Sequence, residues 1–142
     1  METLAGKLVL CAAGLLLPAL LLPDLARAQP RETVTPQFNH VLPNVPGKSL
    51  IAVTVDYPPA AKSGPHTHAK SAFIYGYVVS GAIRSQVDDQ PAKVYRAGAA
   101  FYEMPGAHHR VSENASDSEP ARLLAVFVVD SSDTPLTTPD SR

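Results

Sequence analysis

The sequence predicts an all-β domain, either a sandwich or a barrel. Short runs rich in Val, Ile and aromatic residues recur along the chain and are separated by turn clusters such as Asp88-Asp89-Gln90-Pro91. Fourteen prolines and eight glycines are spread over the 142 residues, which is typical of many short elements joined by turns. After the first 28 residues no helical pattern of about ten residues occurs, so alternating strand and helix units are not favoured.

The first segment has the features of a secretory signal peptide. One lysine precedes an apolar run over 8–22, and Ala26-Arg27-Ala28 has the small residues of a cleavage site. We therefore predict that 1–28 is removed and that the protein is exported, to the periplasm if the source is bacterial and otherwise to the medium. An uncleaved membrane anchor is the alternative, but an apolar run of about fifteen residues is short for a bilayer span. Cys11, the one cysteine, would leave with the signal, so neither a disulfide nor stable membrane association is expected afterwards.

The remaining chain is divided by composition into three parts. We predict an irregular N-terminal arm over 29–47, a β-barrel domain over 48–130 and a flexible, polar C-terminal tail over 131–142. The formal net charge is −1, so no basic excess indicates a nucleic-acid partner.

The strands are predicted in order from their composition and from the turns between them. Ser80-Gly81 separates two apolar runs in the manner of a hairpin. Later turns occur at Arg96-Ala97-Gly98 and in the polar loop 114–120. The predicted strands are 49–55, 72–79, 82–87, 93–95, 99–102, 110–112 and 122–129.

Four of the five histidines lie in two short segments about forty residues apart in sequence. His66 and His68 are two positions apart, so on a strand their side chains point the same way. A third imidazole, from the segment containing His108 and His109, would complete a minimal set of ligands for a divalent transition metal. His40 lies in polar surroundings and is interpreted as a surface or edge histidine.

These two segments resemble the motifs of the cupin family. His66, His68 and Gly81 match the first motif, in which a His-x-His pair is followed by a glutamate and a closing glycine. Gly98, Gly106 and His109 have the spacing of the second motif, with Met104 in the place of its first proline. The resemblance implies a cupin-type double-stranded β-helix, which is a jelly-roll barrel. It also implies a metal site, a small-molecule ligand or substrate, and a homodimer that pairs through an outer sheet.

The chain departs from the family pattern at the metal-binding glutamate of the first motif. The family spacing places that residue at Ala72, Phe73 or Ile74, and none of these side chains can bind a metal. Three possibilities follow: His66, His68 and His109 form a three-histidine site, another residue supplies a carboxylate, or the site holds no metal and the imidazoles are satisfied by hydrogen bonds.

Glu103 is the best candidate for a replacement carboxylate and fourth ligand. It shares strand parity with Phe101, so it faces the core if Phe101 does. Gln86 is a weaker candidate. His108 is expected to face a substrate rather than the ion, because adjacent strand residues point to opposite sides, although the turn could exchange the roles of His108 and His109.

These residues leave three functions open, which are catalysis, binding, and an exported scaffold without a ligand whose outer face forms a homodimer. A metal-dependent oxygenase, lyase or isomerase would use His66, His68 and His109 as ligands, with Glu103 or His108 as the acid or base. Phe73, Tyr75, Tyr77 and Tyr102 are expected either to line its cavity or to form core and dimer contacts. The alternative is a non-catalytic module that binds a metal or small ligand. Iron, manganese, zinc, nickel and copper all remain candidates.

Overall fold

The computed structural model describes residues 30–141, and it folds as two five-stranded antiparallel sheets. The predicted signal segment with Cys11 lies outside the described residues, as does Arg142. The strands are β1 Thr33–Val41, β2 Lys48–Tyr57, β3 His66–His68, β4 Phe73–Ser80, β5 Ala82–Val87, β6 Lys93–Arg96, β7 Ala100–Glu103, β8 His108–Asn114, β9 Ala121–Asp130 and β10 Thr137–Pro139.

The first sheet has the order β1-β2-β9-β4-β7, and the second has the order β10-β3-β8-β5-β6. Strands distant in sequence are neighbours in both sheets, as in a jelly roll, which confirms the predicted fold class. All seven predicted strands are present, with ends that differ by at most two residues. Over residues 30–141 no helix is long and apolar enough to span a membrane.

The core lies between the two sheets and follows the alternation of strand side chains. In β9 every second residue, from Ala121 to Val129, is buried, while the residues between them are not. Tyr57, Ile74 and Ile83 are almost completely buried and come from three different strands. The central strands therefore direct rows of apolar side chains inward, which is the arrangement that two packed sheets require.

Two segments expected to lack regular structure form edge strands instead. β1 lies in the predicted arm over 29–47 and pairs with β2 from Thr33 opposite Asp56 to Val41 opposite Ser49. β10 lies in the predicted tail over 131–142 and pairs with β3. Both strands are exposed along their whole length. Their pairing rests on backbone hydrogen bonds to an open sheet edge, which do not require a hydrophobic pattern in the sequence.

The outer face of the first sheet is largely apolar. One row across all five strands, set by the strand register, consists of Phe38, Ala52, Val126, Tyr75 and Tyr102. The side chains of Tyr75 and Tyr102 are exposed on this face. The aromatic side chains of β4 and β7 that were candidates for lining a cavity therefore lie outside the barrel.

Candidate metal centre

Strand pairing brings the three predicted histidine ligands together. In the second sheet β3 lies beside β8, with His66 directly opposite His109. His68 is two residues further along β3 and faces the same side as His66. The ligand nitrogens of the three rings lie within 4.8 Å of one another. His68 and His109 are buried, with only 6% and 4% of their surfaces exposed.

Glu103 reaches the same point from the opposite sheet. It ends β7 and is 3% exposed, so the prediction that it faces inward is confirmed. Its Oε2 is 3.0 Å from Nε2 of His68, and its Oε1 is 3.3 Å from Nδ1 of His109. In the register of β4 and β7, Glu103 lies opposite Ile74. A carboxylate thus lies on the strand next to a position where the family's first motif expects one.

The turn before β8 fixes the position of this carboxylate relative to the histidines. The Ala107 N–H donates to the carbonyl of Met104, and Gly106 between them has a φ of +73°. That φ lies in the left-handed region, which glycine adopts at little cost. The Ala107 carbonyl then accepts the N–H of His68 at 3.0 Å, which ties the turn to β3. The residues on both sides of the turn are thereby held at one site.

Two of the rings are oriented by further contacts. His66 Nδ1 donates to the Gly64 carbonyl at 2.8 Å, so in the neutral ring Nε2 carries the free lone pair. His109 Nε2 is 2.9 Å from the hydroxyl of Ser85, a buried residue of β5. Carbonyl and hydroxyl contacts of this kind hold the rings of metal-binding histidines in place. Ser85, rather than its neighbour Gln86, is therefore the β5 residue that contacts the site.

Several polar atoms at this site have no aligned hydrogen-bond partner. Although His68 Nε2 and Glu103 Oε2 are only 3.0 Å apart, neither forms a well-aligned hydrogen bond, and His68 Nδ1 also has no partner among residues 30–141. Buried polar groups are rarely left in this state, because each lost hydrogen bond costs about 1–3 kcal/mol. Two close but misaligned atoms are the arrangement expected of ligands that share an ion.

The protonation states also suit a cation. Burial lowers the pKa of His66, and it lowers the pKa of His109 to about 4 despite the opposing effect of Glu103. Burial acts to raise the pKa of Glu103, but contact with His68 and the nearby His109 and His66 more than offset it and hold that pKa below its usual value. At neutral pH, His66 and His109 are therefore neutral and Glu103 is ionised, the forms that bind metals.

His108 does not belong to this group. It faces away from His109 on β8, and its Nε2 is 2.9 Å from Oδ2 of Asp140, which follows β10. Its own backbone N–H donates to Asp88. An acid or base role for His108 stays a prediction, and its position outside the cavity gives that role no support.

The site opens into a cavity of about 800 Å³ between the sheets. The walls are mainly aliphatic and come from β2 and β9, with Phe127 packed against His68 at a ring separation of 5.9 Å. Tyr57 also lines the cavity, and burial raises the pKa of its phenol, so the hydroxyl stays protonated at neutral pH. Small-molecule sites typically occupy about 300–1,000 Å³ with this mixture of apolar walls and few polar groups.

The Cupin domain family matches residues 53–127, which is more than half of the chain. Sequence comparison with curated proteins gives no match. The matched range contains the three candidate histidine ligands, His66, His68 and His109, and it also contains Glu103.

Solved structures share the same fold at low sequence identity. A protein with a double-stranded β-helix domain from Klebsiella pneumoniae has a TM-score of 0.61 at 15% identity, over 79% of this chain and 86% of that one. Oxalate oxidase in complex with the substrate analogue glycolate has a TM-score of 0.58 at 21% identity, over 80% of this chain and 56% of that one. A mutant oxalate decarboxylase from Bacillus subtilis has a TM-score of 0.53 at 24% identity, over 63% of this chain and 23% of that one. From its sequence match and its two-sheet architecture, the chain belongs to the cupin family.

Proposed function

We propose that this protein is an exported cupin that binds a divalent transition metal through His66, His68 and His109, with Glu103 as a fourth ligand, and acts on a small organic substrate. The observation that carries the proposal is the group of four donors from two sheets, three of them buried, whose closest atoms lack aligned hydrogen bonds. Oxygenase, lyase and isomerase reactions are the classes that such a site supports.

The donor set fits a metal in both chemistry and spacing. Three imidazoles and a carboxylate suit zinc, iron, manganese, nickel and copper. Two atoms bound to one ion at roughly 2.1 Å lie at most about 4.2 Å apart. Nitrogens within 4.8 Å of one another therefore reach this spacing after small ring rotations. A carboxylate ligand also lowers the charge of the site from +2 to +1, which makes a bound water less acidic.

When bound, the ion would supply a Lewis acid that polarises an oxygen atom of the substrate. The contributions of the protein chain are orientation of the ligands and a largely apolar cavity wall. Gly64 and Ser85 hold the rings of His66 and His109, and apolar side chains from β2 and β9 line the cavity. The Tyr57 hydroxyl at the cavity wall is held by hydrogen bonds to Ser112 and Ser63.

Turnover is tested with metal-loaded, untagged protein and a panel of small hydroxy acids, keto acids and dicarboxylates. Oxygen consumption detects an oxygenase, and proton NMR of the same mixtures detects lyase or isomerase products. The His68→Ala protein serves as the blank. Product formation that depends on His68 supports an enzyme, whereas saturable binding without any product contradicts catalysis and supports a binding module.

Glu103→Gln tests whether the carboxylate is a ligand. We expect affinity for manganese or zinc to fall about 10- to 100-fold, because the anionic donor is replaced by a neutral amide of the same shape. Competition with a chromogenic chelator measures the change. Glu113→Gln on β8 is the matched control, since Glu113 pairs with Lys62 and Arg84 and not with the histidines. Unchanged affinity in Glu103→Gln would show a site of three histidines alone.

We also propose that two copies pair through the outer face of the first sheet, the five-strand apolar row defined above. Ion pairs lie at both ends of this face, Lys48 with Asp130 and Arg122 with Asp56, so charges surround an apolar centre. Stable interfaces commonly have this anatomy. Tyr75 is the fourth of the five residues in the row and is 45% exposed.

Tyr75→Asp is expected to raise the dimer dissociation constant at least about a hundredfold, because pairing would bury two unpaired carboxylates. Light scattering at micromolar concentration measures the mass. Val94→Asp, an exposed position on β6 in the other sheet, is the control and is expected to remain dimeric. A monomeric wild-type protein would contradict the pairing.

Export is the remaining part of the proposal, and the composition of residues 1–28 supports it. Mass spectrometry of the protein from its native source tests this directly. A mature chain that begins at Gln29, found outside the cytoplasm, is the expected result, and a retained Met1 with cytoplasmic location contradicts it.

A further inference from the structure

Glu32 is a carboxylate in the cavity that the metal centre does not use. It directly precedes β1, and the register pairs Thr33 with Asp56 on β2. Because side chains alternate along paired strands, the next pair, Glu32 and Tyr57, faces the interior. The carbonyl of Pro30 accepts the N–H of Lys62 at 3.2 Å, which holds this arm in place. Glu32 and Tyr57 both line the cavity.

One oxygen of Glu32 is buried without any hydrogen-bond partner in the described part of the chain. The Tyr57 hydroxyl does not serve it, because it is already bonded to Ser112 at 2.7 Å and to Ser63 at 2.9 Å. No cation is paired with Glu32 among residues 30–141. A carboxylate oxygen removed from water is costly unless a donor meets it. The cavity is the place from which such a donor can come.

Part of the cavity wall is aliphatic. Val53 and Val55 of β2 and Leu123 and Ala125 of β9 line it, all of them at inward positions of the first sheet. The metal centre and Glu32 therefore present different chemistry to one cavity, whose lining also includes Arg31 and Asp140. The metal centre attracts an anionic oxygen donor, and the Glu32 end attracts a hydrogen-bond donor, best a cationic one.

We propose that the cavity selects a short ω-amino carboxylic acid, with its carboxylate at the metal centre, an aliphatic middle along β2 and β9, and its ammonium group on Glu32. This ligand class rests on the proposed function for its carboxylate end, while the ammonium end depends on Glu32 alone. Glu32 acts here as a residue that determines specificity and has no part in metal binding.

The test uses metal-loaded protein and a series from 3-aminopropanoate to 6-aminohexanoate, each compared with the unsubstituted acid of equal length. Calorimetry and ligand-observed NMR measure the affinities. The amino acid of one chain length is expected to bind at least about tenfold more tightly than the unsubstituted acid of equal length. A buried charge-assisted hydrogen bond provides a gain in affinity of this size. Glu32→Gln is expected to reduce this ratio to less than about threefold without changing metal content. Glu119→Gln, in an exposed loop, is the matched control and is expected to keep the full ratio.

The outcomes separate the two proposals. Equal affinity for amino and unsubstituted acids at every length, or a ratio that survives in Glu32→Gln, overturns the role of Glu32. A protein that takes up no metal overturns the proposed function instead. In that case the affinities for pentylamine and pentanol are compared in chelator-treated protein. Tighter binding of the amine that is lost in Glu32→Gln supports the role of Glu32. Equal binding of the amine and the alcohol overturns that role.

Discussion

Removal of the His68 imidazole is expected to lower the affinity for a divalent transition metal at least about a hundredfold, because one of four donors is lost. His68 is the ring whose two nitrogens both lack an aligned partner within residues 30–141. Its Nε2 is also the atom that lies 3.0 Å from Glu103. Equilibrium dialysis of untagged His68→Ala with zinc and manganese measures the loss.

The folding of the metal-free His68→Ala protein is a second measurement on the same variant. His68→Ala removes a buried ring without aligned hydrogen bonds, so the metal-free protein is expected to remain folded by circular dichroism. His40→Ala on exposed β1 is the control and is expected to bind metal as the wild type does. Equal affinities in His68→Ala and the wild type would show that this imidazole is no ligand.

Gly81→Ala is expected to destabilise the fold by about 3 kcal/mol or more, which corresponds to roughly 10 °C in melting temperature for a domain of this size. Gly81 joins β4 to β5 with a φ of +70°. A Cβ there would lie 2.5 Å from the Pro120 carbonyl oxygen and 2.8 Å from Cα of Ala121. Both are backbone atoms at the start of β9, so the strand itself would have to move. Urea unfolding of the metal-free protein gives the free energy.

Gly98→Ala separates the two causes of this loss. Gly98 has a similar φ of +87°, but no atom lies within 4 Å of a Cβ built there. Gly98→Ala is therefore expected to lower the free energy of unfolding by only about 1–2 kcal/mol, which is the cost of placing alanine in the left-handed conformation. Equal losses at the two glycines would show that the close approach of β9 to Gly81 makes no contribution.

The central strands could be predicted from sequence because each has to bury one face. Runs such as 122–129 combine β-branched residues with turn signals at both ends, and the structure has β9 over almost the same range. β1 and β10 could not be predicted in this way. Both are exposed throughout, and β1 includes Pro36, Gln37 and Asn39, which do not favour strands. Their pairing depends on a sheet edge that exists only after folding.

The sequence predicted those parts of the site for which strand parity decides the direction of a side chain. Parity placed His66 and His68 on one face and Glu103 inside, and the structure brings these three side chains together with His109. Parity does not identify which strands are neighbours, such as β5 and β8, or which side chains meet across a cavity. Ser85 and Glu32 were therefore missed, although Ser85 shares the inward parity of Ile83.

The most direct test of the metal centre is an anomalous-difference map from crystals of the untagged protein, recorded at the absorption edge of the metal found by elemental analysis. The prediction is one peak per chain, at about 2.0–2.3 Å from a nitrogen of His66, His68 and His109 and from an oxygen of Glu103. A protein with no bound metal, or a peak at any other place in the chain, would contradict the account.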